Sequence, residues 1–263
     1  MSLHLLTGIL FSLLTIDVPI EKSVGAGGVN RVNDVKAVQE RLKELGFHWL
    51  KVNGKTCPET IHAIKLFQGI KNGTHRVLVS KNDGRVDPDG ETHKWLRARN
   101  APRWMMMKGN GPGFVNVEIA DKSDDHDFGT SWLNTTIEQV GAEYEKNYRK
   151  KNQATLISVN DASRDAGQDT PDHKGHETGL SVDLRLPEKG NSSAAKGGLT
   201  YNSEHYDQSA TFAMLRAFRA HPLCKQSSIY FNDPDLIQAG LCTESPGHDN
   251  HIHVEISVPP RKN

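Results

Sequence analysis

Apolar residues recur at helical spacing in three stretches of the first hundred positions. Val35, Val38, Leu42 and Leu45 mark one helix, with Asn33 or Asp34 available to cap it and Gly46 to end it. Ile61, Ile64 and Phe67 line one face of a second, starting near Pro58. A third begins around Pro88, after the turn-rich Asn82-Asp83-Gly84, and presents Trp95 and Leu96. Residues 98–113 carry Pro and Gly without a sustained period and read as a linker, in which Met105 to Met107 beside Trp104 are expected to pack at the junction.

Beyond residue 113 the pattern mixes two periods. Ser131 to Tyr148 reads as a helix carrying Trp132, Ile137, Val140 and Tyr144, and Asp207 to Arg219 as another with Phe212, Leu215 and Phe218 inside. Between and after them, ATLISVN, GLSVDLRL, SSIYFND and HIHVEISV are strand candidates. The expected fold class is therefore an α+β catalytic domain with a small antiparallel sheet at 114–263, preceded by a small all-α three-helix domain at 31–97. Residues 1–30 form an N-terminal segment and 98–113 the linker.

Length and charge narrow the function. At 263 residues the chain suits two domains of unequal size. Its 32 basic residues balance 32 acidic ones, so no basic excess exists to neutralise a phosphate backbone or an anionic membrane surface. Nucleic acid is not an expected partner. Met1 to Ile20 is apolar through Leu13-Leu14 but reaches Asp17, lacks a preceding Lys or Arg, and shows no small-x-small cleavage site. It is expected to be an ordinary docking segment rather than a signal peptide or a membrane span. Of three cysteines, Cys224 and Cys242 suit a disulfide in an oxidising compartment or stand equally well as free thiols.

Five of the 13 histidines fall in two short clusters that also hold carboxylates. The first, HKGHETGLSVDLRLP, contains His173, His176 and Asp183; the second, GHDNHIHVEIS, contains His248, His251 and His253. A catalytic zinc takes three protein ligands from imidazole and carboxylate and keeps a fourth position open. If HIHVEIS is a strand, His251 and His253 point to the same face. Gly179 supplies a turn between His176 and Asp183, which lets ligands seven residues apart converge. Nearby, Asp161, Ser163, Arg164 and Asp172 either line a groove or form a polar surface loop. Asp249 either orients an imidazole or is an ordinary surface carboxylate, whereas His126 reads as solvated.

Both halves resemble known families. The run VKAVQERLKELGF, NGKTCPETIHAIKLFQ, GRVDPDGETHKWL resembles the three-helix peptidoglycan-binding domain, with Val38-Gln39, Thr60, Phe67-Gln68 and Asp89-Gly90-Glu91-Thr92 at its marks. The insertion GIKNGTHRVLVSKN and the Cys57-Pro58 start of the second helix depart from the compact form. His-x6-Asp followed by His-x-His resembles the group joining lysostaphin-type peptidases, D-Ala-D-Ala peptidases and hedgehog domains. Asn250 stands where D-Ala-D-Ala dipeptidases place a general-base Glu. The spacing fits penicillin-insensitive murein endopeptidases, over roughly residues 130–258.

That resemblance implies zinc held by His176, Asp183 and His253, with His251 as the catalytic histidine beside the metal. It also implies site roles for His173 and His248, either of which would protonate the leaving amine. The implied activity is hydrolysis of the cross-link between D-alanine and a diamino acid of a neighbouring stem peptide, with peptidoglycan as partner. Carboxypeptidase action and a non-catalytic, zinc-containing wall-binding protein are the competing readings. Arg164 and Arg185 are the only arginines near the clusters, and an arginine fork is what grips a free terminal carboxylate. Without a convincing signal segment, action in the periplasm or cell wall suggests export by a non-Sec route. An antibacterial effector with a cognate immunity protein, or a phage lysin, fits that expectation. Residues 114–263 are expected to cleave small muropeptides unaided.

Overall fold

The computed structural model describes residues 16–120, 125–169 and 175–263. Its N-terminal part contains β1 (Val24–Gly25), α1 (Val32–Glu44), α2 (Pro58–Asn72), β2 (Arg85–Val86) and α3 (Glu91–Leu96). The apolar stripe of α1 is buried through Val35, Val38 and Leu42. Its start differs from the capping expected of Asn33 or Asp34: Arg31 is the N-cap and makes no side-chain cap bond. Asp34 sits inside the first turn, where its carboxylate accepts from the Glu21 and Lys22 N–H groups at 3.0 and 3.1 Å. A buried carboxylate needs such donors, and these two tie the preceding segment to the helix. α2 opens on Pro58, whose missing N–H costs nothing in a first turn. α3 begins at Glu91, three residues after the expected Pro88. β1 and β2 pair antiparallel and are too short to leave a period in the sequence.

Residues 98–113 do more than connect. β3 (Trp104–Met106) pairs antiparallel with β6 (Phe128–Thr130), and β4 (Asn110–Gly111) pairs with β5 (Phe114–Asn116). Trp104 and Met107 are buried while Met105 and Met106 face solvent. The Trp104 N–H donates to the Leu45 carbonyl at 2.7 Å. Gly46, at φ 93°, permits this approach, because a Cβ there would meet the Trp104 oxygen at 2.0 Å. One hydrophobic cluster consequently runs from Val35 and Phe67 through Trp104 to Leu184 and Ile252.

The main sheet also contains β7 (Ile157–Val159), β8 (Ser181–Arg185), β9 (Ile229–Tyr230) and β10 (His251–Glu255), in the order β4-β5-β7-β8-β10-β9. It is mixed rather than antiparallel throughout, since β5 and β7 run parallel. Between those two strands the chain crosses over through α4 (Ser131–Tyr144), as a parallel pair requires. α4 is capped by the Thr130 side chain and continues through a π turn at Glu145–Arg149 into α5 (Lys150–Asn152). α6 (Gln208–Ala220) is capped by Asp207, and α7 (Pro234–Gln238) by Asp233. Leu215 and Phe218 are buried as expected, but Phe212 is 38% exposed and lies under the Arg216 guanidinium. The whole is a mixed fold of small sheets and helices, compatible with the α+β class. Among the described residues no helix is long and apolar enough to cross a membrane.

Candidate metal centre

The register of β8 against β10 builds the centre. His251 faces Arg185, Ile252 faces Leu184, His253 faces Asp183, Val254 faces Val182 and Glu255 faces Ser181. Strand alternation puts Val182, Leu184, Ile252 and Val254 on one face, where all four are fully buried. Asp183, His251, His253 and Glu255 thereby share the other. The apolar quartet fixes the polar one, because a one-residue slip would exchange the faces.

His176 reaches this face from the turn before β8. Gly179, at φ 60°, closes that turn with its N–H on the His176 carbonyl at 3.2 Å. His176 Nε2 then lies 3.1 Å from His253 Nδ1 and 3.4 Å from Asp183 Oδ1, and His253 Nδ1 lies 2.8 Å from Asp183 Oδ1. All three residues are at most 5% exposed. Ligands about 2.0–2.1 Å from a tetrahedral ion stand about 3.3 Å apart, so these three atoms already form nearly one face of such a shell. His176, Asp183 and His253 could hold a metal ion.

Hydrogen bonds orient the rings. His176 Nδ1 donates to the Ala162 carbonyl at 3.0 Å, which leaves the Nε2 lone pair facing the cluster. His253 presents Nδ1 to the cluster and turns Nε2 toward Glu255 Oε1 at 3.7 Å. Burial opposes charge on His253, but hydrogen bonding to Asp183 and Glu255 and the charge of both carboxylates outweigh it and push the imidazole up to about 9. Burial also tends to raise the Glu255 carboxyl, which the hydrogen bond with His253 and the charge of His75 hold below its usual range.

The remaining candidates fall on the open side or elsewhere. His251 is 27% exposed, with Nε2 at 3.7 Å from Asp183 Oδ2 and Nδ1 at 2.8 Å from Asn250 Oδ1. His248 is half-buried, its ring centroid 4.8 Å from that of His251, and it donates from Nδ1 to the Pro246 carbonyl. Tyr230 stacks on His253 at 5.7 Å. His173 and Asp172 lie outside the described residues. Asp249 accepts from Asn232 at 2.7 Å and bonds no histidine among the described residues. Arg185 donates to Asn160 Oδ1 and the Lys196 carbonyl, and Arg164 to the Asp169 carbonyl. Ser163 is buried and pairs through its backbone with Phe128, so it lines no groove. Cys224 and Cys242 are buried thiols that form no disulfide.

Three residues stand at or near this face in places that the local sequence pattern did not suggest. His126, expected to be solvated, is 3% exposed and groups with Glu118 and Asp161 in a second cluster able to hold a cation. The Asp161 carbonyl accepts from the Asp183 N–H at 2.8 Å, so the two clusters are joined through backbone. Glu255 was readable in principle, two residues after His253 on the same face. His75, 3.4 Å from Glu255 Oε2, comes from the insertion before the last N-terminal helix, where nothing in the local sequence points to a site.

No protein-family description matches the chain, and no curated protein matches it either. What the fold and site define is thus a mixed α/β protein with a buried His–Asp–His centre on one face of its main sheet.

Proposed function

We propose that the protein is a zinc peptidase that cuts peptide cross-links of bacterial peptidoglycan, between D-alanine and a diamino acid. The observation that carries this reading is the convergence of His176 Nε2, Asp183 Oδ1 and His253 Nδ1 beneath a partly exposed His251. Two imidazoles and one carboxylate are the protein donor set of a catalytic zinc centre, which keeps its fourth position for water or substrate. The spacing of these residues resembles that of the murein endopeptidases. When bound, zinc lowers the pKa of water to about 7 and polarises a carbonyl.

The chain's own groups supply the rest. The Asn250 amide oxygen can only accept, so it holds the His251 proton on Nδ1 and leaves Nε2 as a base facing the centre. His248 stands beside it, close enough to return a proton to a leaving amine. Recognition of a free terminal carboxylate would call on Arg185 or Arg164, and both guanidiniums are engaged with protein oxygens. That favours a cross-link over a free terminus. Residues 31–97, with their likeness to the peptidoglycan-binding module, would hold the enzyme at the wall. Digestion of purified sacculi with and without zinc, followed by mass analysis, tests the proposal. Dimeric muropeptides should become monomers, whereas release of D-alanine with dimers intact would replace the endopeptidase by a carboxypeptidase.

A further inference from the structure

The insertion that departs from the compact three-helix form, residues 69–82, lies against the metal centre. Asn82, 2% exposed, holds the loop in shape by donating to Thr74 Oγ1 and to the Arg76 and Val77 carbonyls. The loop then grips the two residues that follow His176. The Val77 N–H donates to Glu177 Oε2 at 2.7 Å, and Thr178 Oγ1 donates to the Thr74 carbonyl at 2.8 Å. Between these anchors, His75 places Nε2 at 3.4 Å from Glu255 Oε2, and Glu255 Oε1 lies 3.7 Å from His253 Nε2.

We infer that His75 is a positioning residue for the metal centre, acting through Glu255 on His253, so that the N-terminal unit completes the site it adjoins. A metal-bound imidazole is oriented by a carboxylate on its other nitrogen, and that carboxylate is oriented by its own donors. His253 faces the ligand cluster with Nδ1 and Glu255 with Nε2, which is this arrangement. The tautomer of His75 agrees with it. Its Nδ1 is buried with no hydrogen-bond partner among the described residues, a state tolerable for a bare ring nitrogen but costly for an N–H. The single proton of the neutral ring is therefore on Nε2, facing Glu255. Without that donor Glu255 keeps only the Ser228 side chain and His253 itself, and the contact that aims His253 Nδ1 at Asp183 and His176 is weakened.

The inference rests on the metal-centre reading, and the test separates the two. Zinc affinity of the full chain is measured by competition with a chromophoric chelator, alongside the absorption spectrum of the cobalt-loaded protein. His75→Phe keeps bulk and removes the donor, while His75→Gln keeps a donor in nearly the same place. The Phe variant should bind zinc about 10–100-fold more weakly with an altered cobalt spectrum, and the Gln variant should recover to within about threefold of the wild type. Wild-type affinity in His75→Phe, with binding lost in His176→Ala, would overturn the role of His75 alone. Equal weakening in Phe and Gln would assign the loss to packing and overturn it too. Unchanged affinity in His176→Ala would remove the metal centre itself. If the Phe variant does not fold, Glu255→Gln reads the same link, and wild-type affinity there would sink the inference.

Discussion

His253 is where the residue-scale chemistry concentrates. Its imidazole, held near 9 by Asp183 and Glu255 against the effect of burial, carries a proton that a metal must displace. Zinc affinity should accordingly fall as pH drops below 9, which chelator competition at several pH values would show. The stability of the metal-free protein has a matching dependence. The folded value lies above the roughly 6.5 of a free histidine, so the stabilisation is complete below about 6.5 and is lost as pH rises through about 9. Denaturant melts of metal-stripped protein should show a lower midpoint at alkaline pH, and a midpoint that rises would contradict the pairing. Substitution separates ligand from base. His176→Ala or His253→Ala should lose metal and turnover together, whereas His251→Ala should keep the metal and lose about 10²–10⁴-fold in rate. Elemental analysis of the three variants checks this, and a metal-free His251→Ala would mean that ligand and base have been exchanged.

At the scale of elements, the site is made by two strands and one turn. Most of that was legible in the sequence, because alternation in SVDLRL and HIHVEIS states which residues share a face. The helices α4 and α6 were legible for the same reason, their apolar spacing being long enough to define a period. What could not be read were contacts between elements. Asp34 resembles a cap by position, yet its buried carboxylate serves backbone donors twelve and thirteen residues upstream. Phe212 fits the apolar spacing of α6 but stays 38% exposed, with the Arg216 guanidinium over its ring. The two-residue strands β1, β2, β4 and β9 are too short for any period. Gly179 was legible as a turn, and the structure adds its reason. A Cβ there would meet Gly129 Cα at 2.7 Å and the Trp104 ring at 2.9 Å, at a φ that disfavours side chains. Gly179→Ala should cost more than about 1 kcal/mol and displace His176, seen as a lower melting midpoint together with weaker metal binding.

For the molecule as a whole, the continuous core changes what truncation should do. The sequence suggests separable units, yet Trp104 packs near Phe47, Trp95 meets Trp132, and the Arg99 N–H donates to the Lys262 carbonyl. A chain starting at residue 114 loses β3 and β4 and exposes apolar surface that the helices cover. Such a fragment should bind zinc poorly and aggregate, where a tethered module on an independent domain would leave it intact. Light scattering and metal content of the fragment decide between them. On the proposed function, this His–Asp–His face carries out zinc-dependent peptide hydrolysis. Purified cross-linked muropeptide dimer, incubated with the full chain at one zinc per molecule, tests it most directly. Conversion to monomers that stops on chelation, resumes with added zinc and fails in His176→Ala is the expected result. Dimers that survive the zinc-loaded wild-type protein would contradict it.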